Sequence, residues 1–247
     1  MVKKNLLSVF ILCISSMMAL SGCFTNMADK TNTNGKNQLF PDKHLELAVR
    51  EALNKPTGEI SRRDLKKITR LEDPSPSNKL ANLEGIQFLT NLEELYNQGG
   101  RVEDLAPLQG LKRLRVLSLN RNNIQDIAPL ANLTALEELS IGHNQIQDMT
   151  PLSNLTELTK LRIEFNKIED LNPVRNMAHL EGLYGASNRI KDITVLKNLR
   201  SLIDLDLANN NITDVKPISN LPNLRYLILE GNPIRDYLPL KKLKIDY

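Results

Sequence analysis

The chain has 247 residues, 44 of them Leu, with 11 Gly and 12 Pro, so it can build a substantial apolar core. Trp is absent, His occurs three times and Cys twice, which argues against a zinc cluster, another metal or cofactor centre, or a disulfide framework. The formal charge of +3 is too small for a strongly basic nucleic-acid binder.

Lys3 and Lys4 precede an apolar stretch from Leu6 to Leu20, the length of a signal-peptide core and short for a helix crossing about 30 Å of hydrocarbon. Leu20-Ser21-Gly22-Cys23 follows, and this run resembles the bacterial lipoprotein signal, in which the Cys is lipidated and becomes the new N-terminus. The resemblance implies that residues 1–22 are removed, that Cys23 is the lipidation site, and that acyl chains anchor the protein to a membrane. An ordinary secretory signal with an incidental Cys is the alternative. Cys13 would leave with the signal, and loss of Lys3 and Lys4 leaves 30 cations against 29 carboxylates. Residues 23–38, rich in Thr, Asn and Lys, read as a flexible tether. The folded part is expected to be extracytoplasmic, at the cell surface or in the periplasm.

Residues 39–70 carry the pattern of a helical cap. Asp42 precedes a helix with Leu45, Ala48, Val49, Ala52 and Leu53 on one face, and Lys55-Pro56-Thr57-Gly58 ends it. Ser61 and Asp64 form a capping-box pattern for a second short helix carrying Leu65 and Ile68. Asp73-Pro74-Ser75-Pro76 interrupts any strand, so the coil ending at Leu83, Ile86 and Leu89 is expected to be degenerate.

From Leu92 the sequence repeats every 22 residues, with leucines at 92, 114, 136, 158, 180, 202 and 224. A second Leu row begins at Leu95, a third apolar row at Leu119, an Asn row at Asn122 and an Ile row at Ile124. Each unit closes with Asp, an apolar residue and usually a Pro, as in Asp126-Ile127-Ala128-Pro129-Leu130. The alternation in Leu117-Ser118-Leu119 predicts one short strand per unit, buried on one side. The recurrent Asn suits a sharp bend, where its amide can satisfy backbone groups of its own and adjacent coils. The Pro suits the first position of a short 3₁₀ or α turn. Stacking such coils at about 4.8 Å turns each row of leucines into a continuous core.

This pattern resembles the leucine-rich repeat in the 22-residue form of internalins and related bacterial surface proteins, over roughly residues 80 to 247. The resemblance implies an α/β, right-handed solenoid, with parallel strands on the concave face, short 3₁₀ or α turns on the convex face and a helical N-terminal cap; the repeat domain is taken as 71–247. Departures are Asn97 and Gly185 in rows otherwise apolar, Gly100 in place of the first ladder Asn, and Val195 in place of a Pro. Local looseness is expected at Gly185, where a Leu-sized side chain is absent. Leu243, Ile245 and Tyr247 could add a final partial strand, with Lys241, Lys242 and Lys244 as its solvated end.

In this family the outward residues of the strand face are free to vary, and function is expected there. Three of the five Tyr and Phe165 fall on these positions, which suits the aromatic and Arg anchors of protein interfaces. Tyr96, Arg162, Phe165, Tyr184 and Tyr226 are the leading candidates, with Arg121, Glu138, His143, Glu164 and Asp206 beside them. Three cations (Arg121, Lys160, Arg162) oppose six carboxylates (Glu94, Glu138, Glu164, Asp204, Asp206, Glu230), a net of −3 that disfavours nucleic acid and favours a partner with basic and aromatic groups. Tyrosines also suit strand surfaces for structural reasons alone. His143 near Ser140 and Glu164 lacks an evident oxyanion pocket, so catalysis has little support. Asp204 and Asp206 could share a cation, though a solvated acidic pair is the simpler reading. His44 and His179 are read as exposed structural residues. The resulting expectation is a lipid-anchored recognition module binding a protein, adhesin-like or, alternatively, a cell-envelope scaffold or regulator binding an envelope protein or wall glycan; no enzymatic activity is expected.

Overall fold

The computed structural model describes residues 39–72 and 80–243. Cys13, Cys23, the signal and tether segments, Asp73-Pro74-Ser75-Pro76, and Lys244, Ile245 and Tyr247 lie outside the described residues. The elements below belong to the unit that begins at Phe40.

Eight three-residue strands form one parallel sheet in chain order: β1 Arg70–Glu72, β2 Glu94–Tyr96, β3 Val116–Ser118, β4 Glu138–Ser140, β5 Lys160–Arg162, β6 Gly182–Tyr184, β7 Asp204–Asp206 and β8 Tyr226–Ile228. Each central Leu faces the next, Leu95 to Leu117 to Leu139 to Leu161, so the register advances 22 residues per coil. Those leucines are at most 1% exposed, and the row continues through Leu183, Leu205 and Leu227. A coil that buries only one side of a three-residue strand has no core of its own; the core exists because coils stack.

Strand β1 is a departure from the sequence reading, which assigned no strand before the Pro-containing segment. It pairs with β2 through Arg70↔Glu94 and Glu72↔Tyr96, a step of 24 residues. The step of 24 puts it out of phase with the 22-residue period. Leu71, 2% exposed, is the inward residue of this first coil.

Short 3₁₀ turns return each coil, among them Ala106–Leu108, Ala128–Leu130, Thr150–Asn154 and Asn172–Asn176. Pro occupies the second turn position, not the first as expected. The reason is the Asp two residues before the turn: Asp126 Oδ1 accepts the Ala128 N–H at 2.8 Å, and Asp104, Asp148, Asp170, Asp192, Asp214 and Asp236 repeat the contact. With the first N–H taken by Asp, the next donor is absent in Pro at no loss. Hydrogen bonds from Thr150 and Thr194, from both side chain and backbone, hold the carboxyls of Asp148 and Asp192 below the usual range.

The Asn row forms a ladder. Asn144 Nδ2 donates to the carbonyls of Leu119, Ile141 and Gly142 at 3.0 to 3.1 Å, and its Oδ1 accepts from the Ile124 N–H at 3.0 Å. Asn122, Asn166, Asn188, Asn210 and Asn232 repeat this link to the preceding coil.

Three irregular positions behave differently. A Cβ on Gly185 would lie 3.1 Å from Leu207 Cδ2 and 3.6 to 3.7 Å from Ile190 and Ile163, so neighbours already fill the space and the expected looseness is absent. Asn97 is 1% exposed in the apolar row, and neither its Nδ2 nor its Oδ1 has a partner among the described residues. A Cβ on Gly100 would lie 2.6 Å from Asn122 Oδ1 and 2.8 Å from Asn97 Nδ2, so no side chain fits where the ladder would begin.

The N-terminal end is latched by side chains. Helix α1 (Lys43–Ala52) buries Leu45, Ala48 and Val49; Ala52 is exposed, because the helix ends there and the chain turns at Asn54, φ +49°. Asp42 caps α1 through the His44 N–H at 2.8 Å, while its other oxygen accepts from Ala81 and Asn82 at 2.9 and 3.0 Å. Burial opposes ionisation of Asp42, but these N–H donors outweigh it and the carboxyl is held below its ordinary value. Helix α2 (Arg62–Leu65) has a full Ser61/Asp64 capping box, and the Arg62 guanidinium lies 4.0 Å over the Phe88 ring. At the other end Lys241 and Lys242 close a 3₁₀ turn, Leu238–Lys242, whose Leu240 is fully buried.

Candidate functional site: the outward strand face

Because strand side chains alternate, Leu95 and its row point into the core and the flanking residues of every strand share the opposite face. Tyr96, Glu138, Arg162, Tyr184, Asp206 and Tyr226 all lie on that face, each flanking an inward Leu. The candidates are not equally available.

Tyr96 and Tyr184 are only partly exposed, and each is held by a similar set of partners. The Arg70 guanidinium sits 4.3 Å over the Tyr96 ring, and Tyr96 donates its hydroxyl to Glu94 at 3.1 Å. Arg70 also binds Glu72 at 3.0 Å and pairs with Glu94. The Arg162 guanidinium sits 3.9 Å over Tyr184, whose hydroxyl donates to Asp204 at 3.0 Å. Gly182 makes room for that ring, since a Cβ there would meet Tyr184 Cε2 at 2.9 Å. Burial, then the carboxylate accepting the hydroxyl proton, raises both phenols above their ordinary value, so both donate at neutral pH. Arg70 belongs to the face and was missed with β1; the neighbouring Glu72 leaves the net charge of the set unchanged.

Arg121, His143 and Phe165 occupy a different geometry. They open the bend after each strand at φ +58°, +54° and +53°, followed by Ser187 and Asn209, with Gly99 and Gly231 in the same row. The two glycines were the available signal for a left-handed position. The His143 and Phe165 rings stack at 4.2 Å and 13°, and Phe165 stays 52% exposed. Among the described residues no side-chain hydrogen bond joins His143 to Ser140 or Glu164. Glu164 lies against Gly142, where a Cβ would meet its carboxyl carbon at 2.7 Å, and its Oε2 is buried without a partner among the described residues. Tyr226 and Ile228 on β8 are 69% and 47% exposed; both fall on the outward positions of the repeat, of which only the tyrosine was expected as an interface anchor.

Elsewhere, two shallow cavities fall off this face. One, of about 410 Å³, lies among the return turns and is lined by Asp170, Arg175, Asp192 and Lys197; the other, of about 310 Å³, by Glu137, Glu157, His179 and Glu181. Among the described residues no group of three or more His, Cys, Asp and Glu could hold a metal ion, and no helix is long and apolar enough to cross a membrane.

Stacked parallel strands, 3₁₀ returns and a buried Asn ladder define a leucine-rich-repeat solenoid. The family model for leucine-rich repeats (two copies) matches residues 112–154, 134–176 and 200–242. Internalin C2 of Listeria monocytogenes is similar at 32% identity and a TM-score of 0.80, over 84% of this chain and 94% of that one. Internalin F of the same organism is similar at 32% identity and 0.63, over 85% and 76%. A leucine-rich-repeat protein of Leptospira interrogans is similar at 28% identity and 0.58, over 69% and 53%. No curated protein sequence matches. The chain belongs to the internalin-like leucine-rich-repeat proteins.

Proposed function

We propose that the protein is an extracytoplasmic recognition module, anchored through lipid on Cys23, that binds a protein on its outward strand face and carries out no chemistry on it. The observation that carries this reading is Phe165. A bulky aromatic in the left-handed region is strained, and here it is also half exposed. Gly or Asn would serve the bend better, so the ring answers to something other than folding. It follows Arg162 by three residues, at the bend that ends β5, and with the stacked Arg162–Tyr184 pair and the exposed Tyr226 it makes a group of aromatic and Arg anchors that suits the centre of a protein interface. The lipoprotein-like run Leu20-Ser21-Gly22-Cys23 supports the anchor and the repeat period supports the internalin-type reading.

Pull-down from envelope extracts and from host-cell extracts with the surface-displayed protein tests both halves. Capture of one partner that is lost with Arg162→Ala/Tyr184→Ala is expected; unchanged capture would remove the site. Retention from host extract alone would mark an adhesin-like role, and from envelope extract alone a scaffold or regulator. Labelled palmitate should enter the wild-type chain and not Cys23→Ala.

A further inference from the structure

Resting on the strand face as the docking surface, we infer that its β6–β8 end receives an extended, basic segment of the partner protein, one that presents two Lys or Arg at alternate positions.

The argument begins with charge that the fold leaves unbalanced. On the face, Glu72 and Glu94 are both ion-paired to Arg70. Asp204, Asp206 and Glu230 enter no ion pair among the described residues, and β6 to β8 contribute no cation to the face. One oxygen of Asp204 is taken by the Tyr184 hydroxyl and one of Asp206 by the Ala208 N–H at 3.0 Å, which orients both carboxylates and leaves each a second oxygen for a ligand. The local arrangement is therefore a positioned pair of acceptors beside apolar surface.

Spacing then narrows the occupant. Asp204 and Asp206 are two residues apart on one strand, about 7 Å, and alternate side chains of an extended segment laid along β7 repeat at the same distance. The register places Tyr226 beside Asp204 and Ile228 beside Asp206. A Lys or Arg whose head meets either carboxylate would lay its methylenes on the exposed ring or the exposed Ile. Ala208, 5% exposed, keeps the surface beyond Asp206 low. An acidic segment would meet three like charges, and a purely apolar one would strip water from the carboxylates without replacing it.

The test uses the full chain and a short fluorescent peptide alternating Lys and Val, with a Glu–Val peptide of equal length as the comparison, read by anisotropy. The Lys–Val peptide should bind and weaken as salt rises. Affinity should fall at least about tenfold with Asp204→Asn/Asp206→Asn, whose folding is checked by its unfolding midpoint, and also with Tyr226→Ala. Failure of the Lys–Val peptide to bind the wild type overturns the inference. If the Glu–Val peptide binds instead and is lost with Tyr226→Ala, the face stands and the basic partner falls. Lys–Val binding indifferent to all three substitutions places the contact off the face and removes both readings.

Discussion

The first and last strands of this sheet do the same geometric work with opposite surface chemistry. Around β1 and β2 one arginine neutralises two glutamates, and a helical cap is latched by Asp42 and by Arg62 on Phe88. Around β7 and β8 the carboxylates Asp204, Asp206 and Glu230 enter no ion pair among the described residues, and a tyrosine and an isoleucine face solvent. The central inward leucine is kept at both ends, Leu71 and Leu95 at one and Leu205 and Leu227 at the other. In a stack whose shape depends on alternate residues alone, the remaining positions can diverge in charge and polarity without altering the backbone that displays them.

The comparison can be broken most severely in the ladder. Asn144→Ala would leave the Ile124 N–H and three carbonyls without their buried partner, so a loss of about 3 kcal/mol or more is expected in urea unfolding. Asn97→Leu is the contrasting substitution: it replaces an amide with no partner by the residue of its row, and a gain of about 1 kcal/mol is expected. Equal losses at the two sites would show that the coil of β2 depends on its buried amide after all.

Next in size is the N-terminal latch. Asp42→Ala should cost about 1 to 2 kcal/mol, since it removes a helix cap and two cross-links to the first coil. The folded-state carboxyl titrates below the unfolded one, so this contribution is present above the unfolded value near 3.9 and is lost as pH falls through the lower folded value. Unfolding midpoints of wild type and Asp42→Ala should therefore converge on acidification below about pH 4; a gap independent of pH would mean that the charge of Asp42 is not what holds the latch. The smallest effect belongs to the site itself. Phe165→Asn relieves a strained aromatic but gives up its stack on His143, so stability should move by less than about 1 kcal/mol while partner capture is lost.

Much of this architecture was legible because a repeat reports the same physics many times. The inward leucines, the Asn ladder and the return turns each recur, and Tyr96, Tyr184 and Tyr226 fell on the outward face by alternation alone. What escaped had no periodic witness. Strand β1 sits 24 residues before β2, and with it went Arg70 and the whole Arg70–Tyr96–Glu94 cluster. The exchange at Gly185, where Leu207, Ile163 and Ile190 close in, depends on side chains from three coils and leaves no local pattern. Nor does periodicity show that Arg121, His143 and Phe165 stand on a left-handed bend; two glycines in a row of seven were the sole hint.

The amide ladder also bears on how such a chain can change in length. Beyond its own coil each Asn reaches the one behind it, as Asn166 does to the Ile141 carbonyl and the Ile146 N–H. A recombination that joins one coil at the corresponding residue of another would hand every amide an equivalent neighbour, so whole modules can be gained or lost with no seam. The span of the outward strand face is then a quantity that duplication can dial in fixed increments, while a cut at any other phase would strand a donor in the interior.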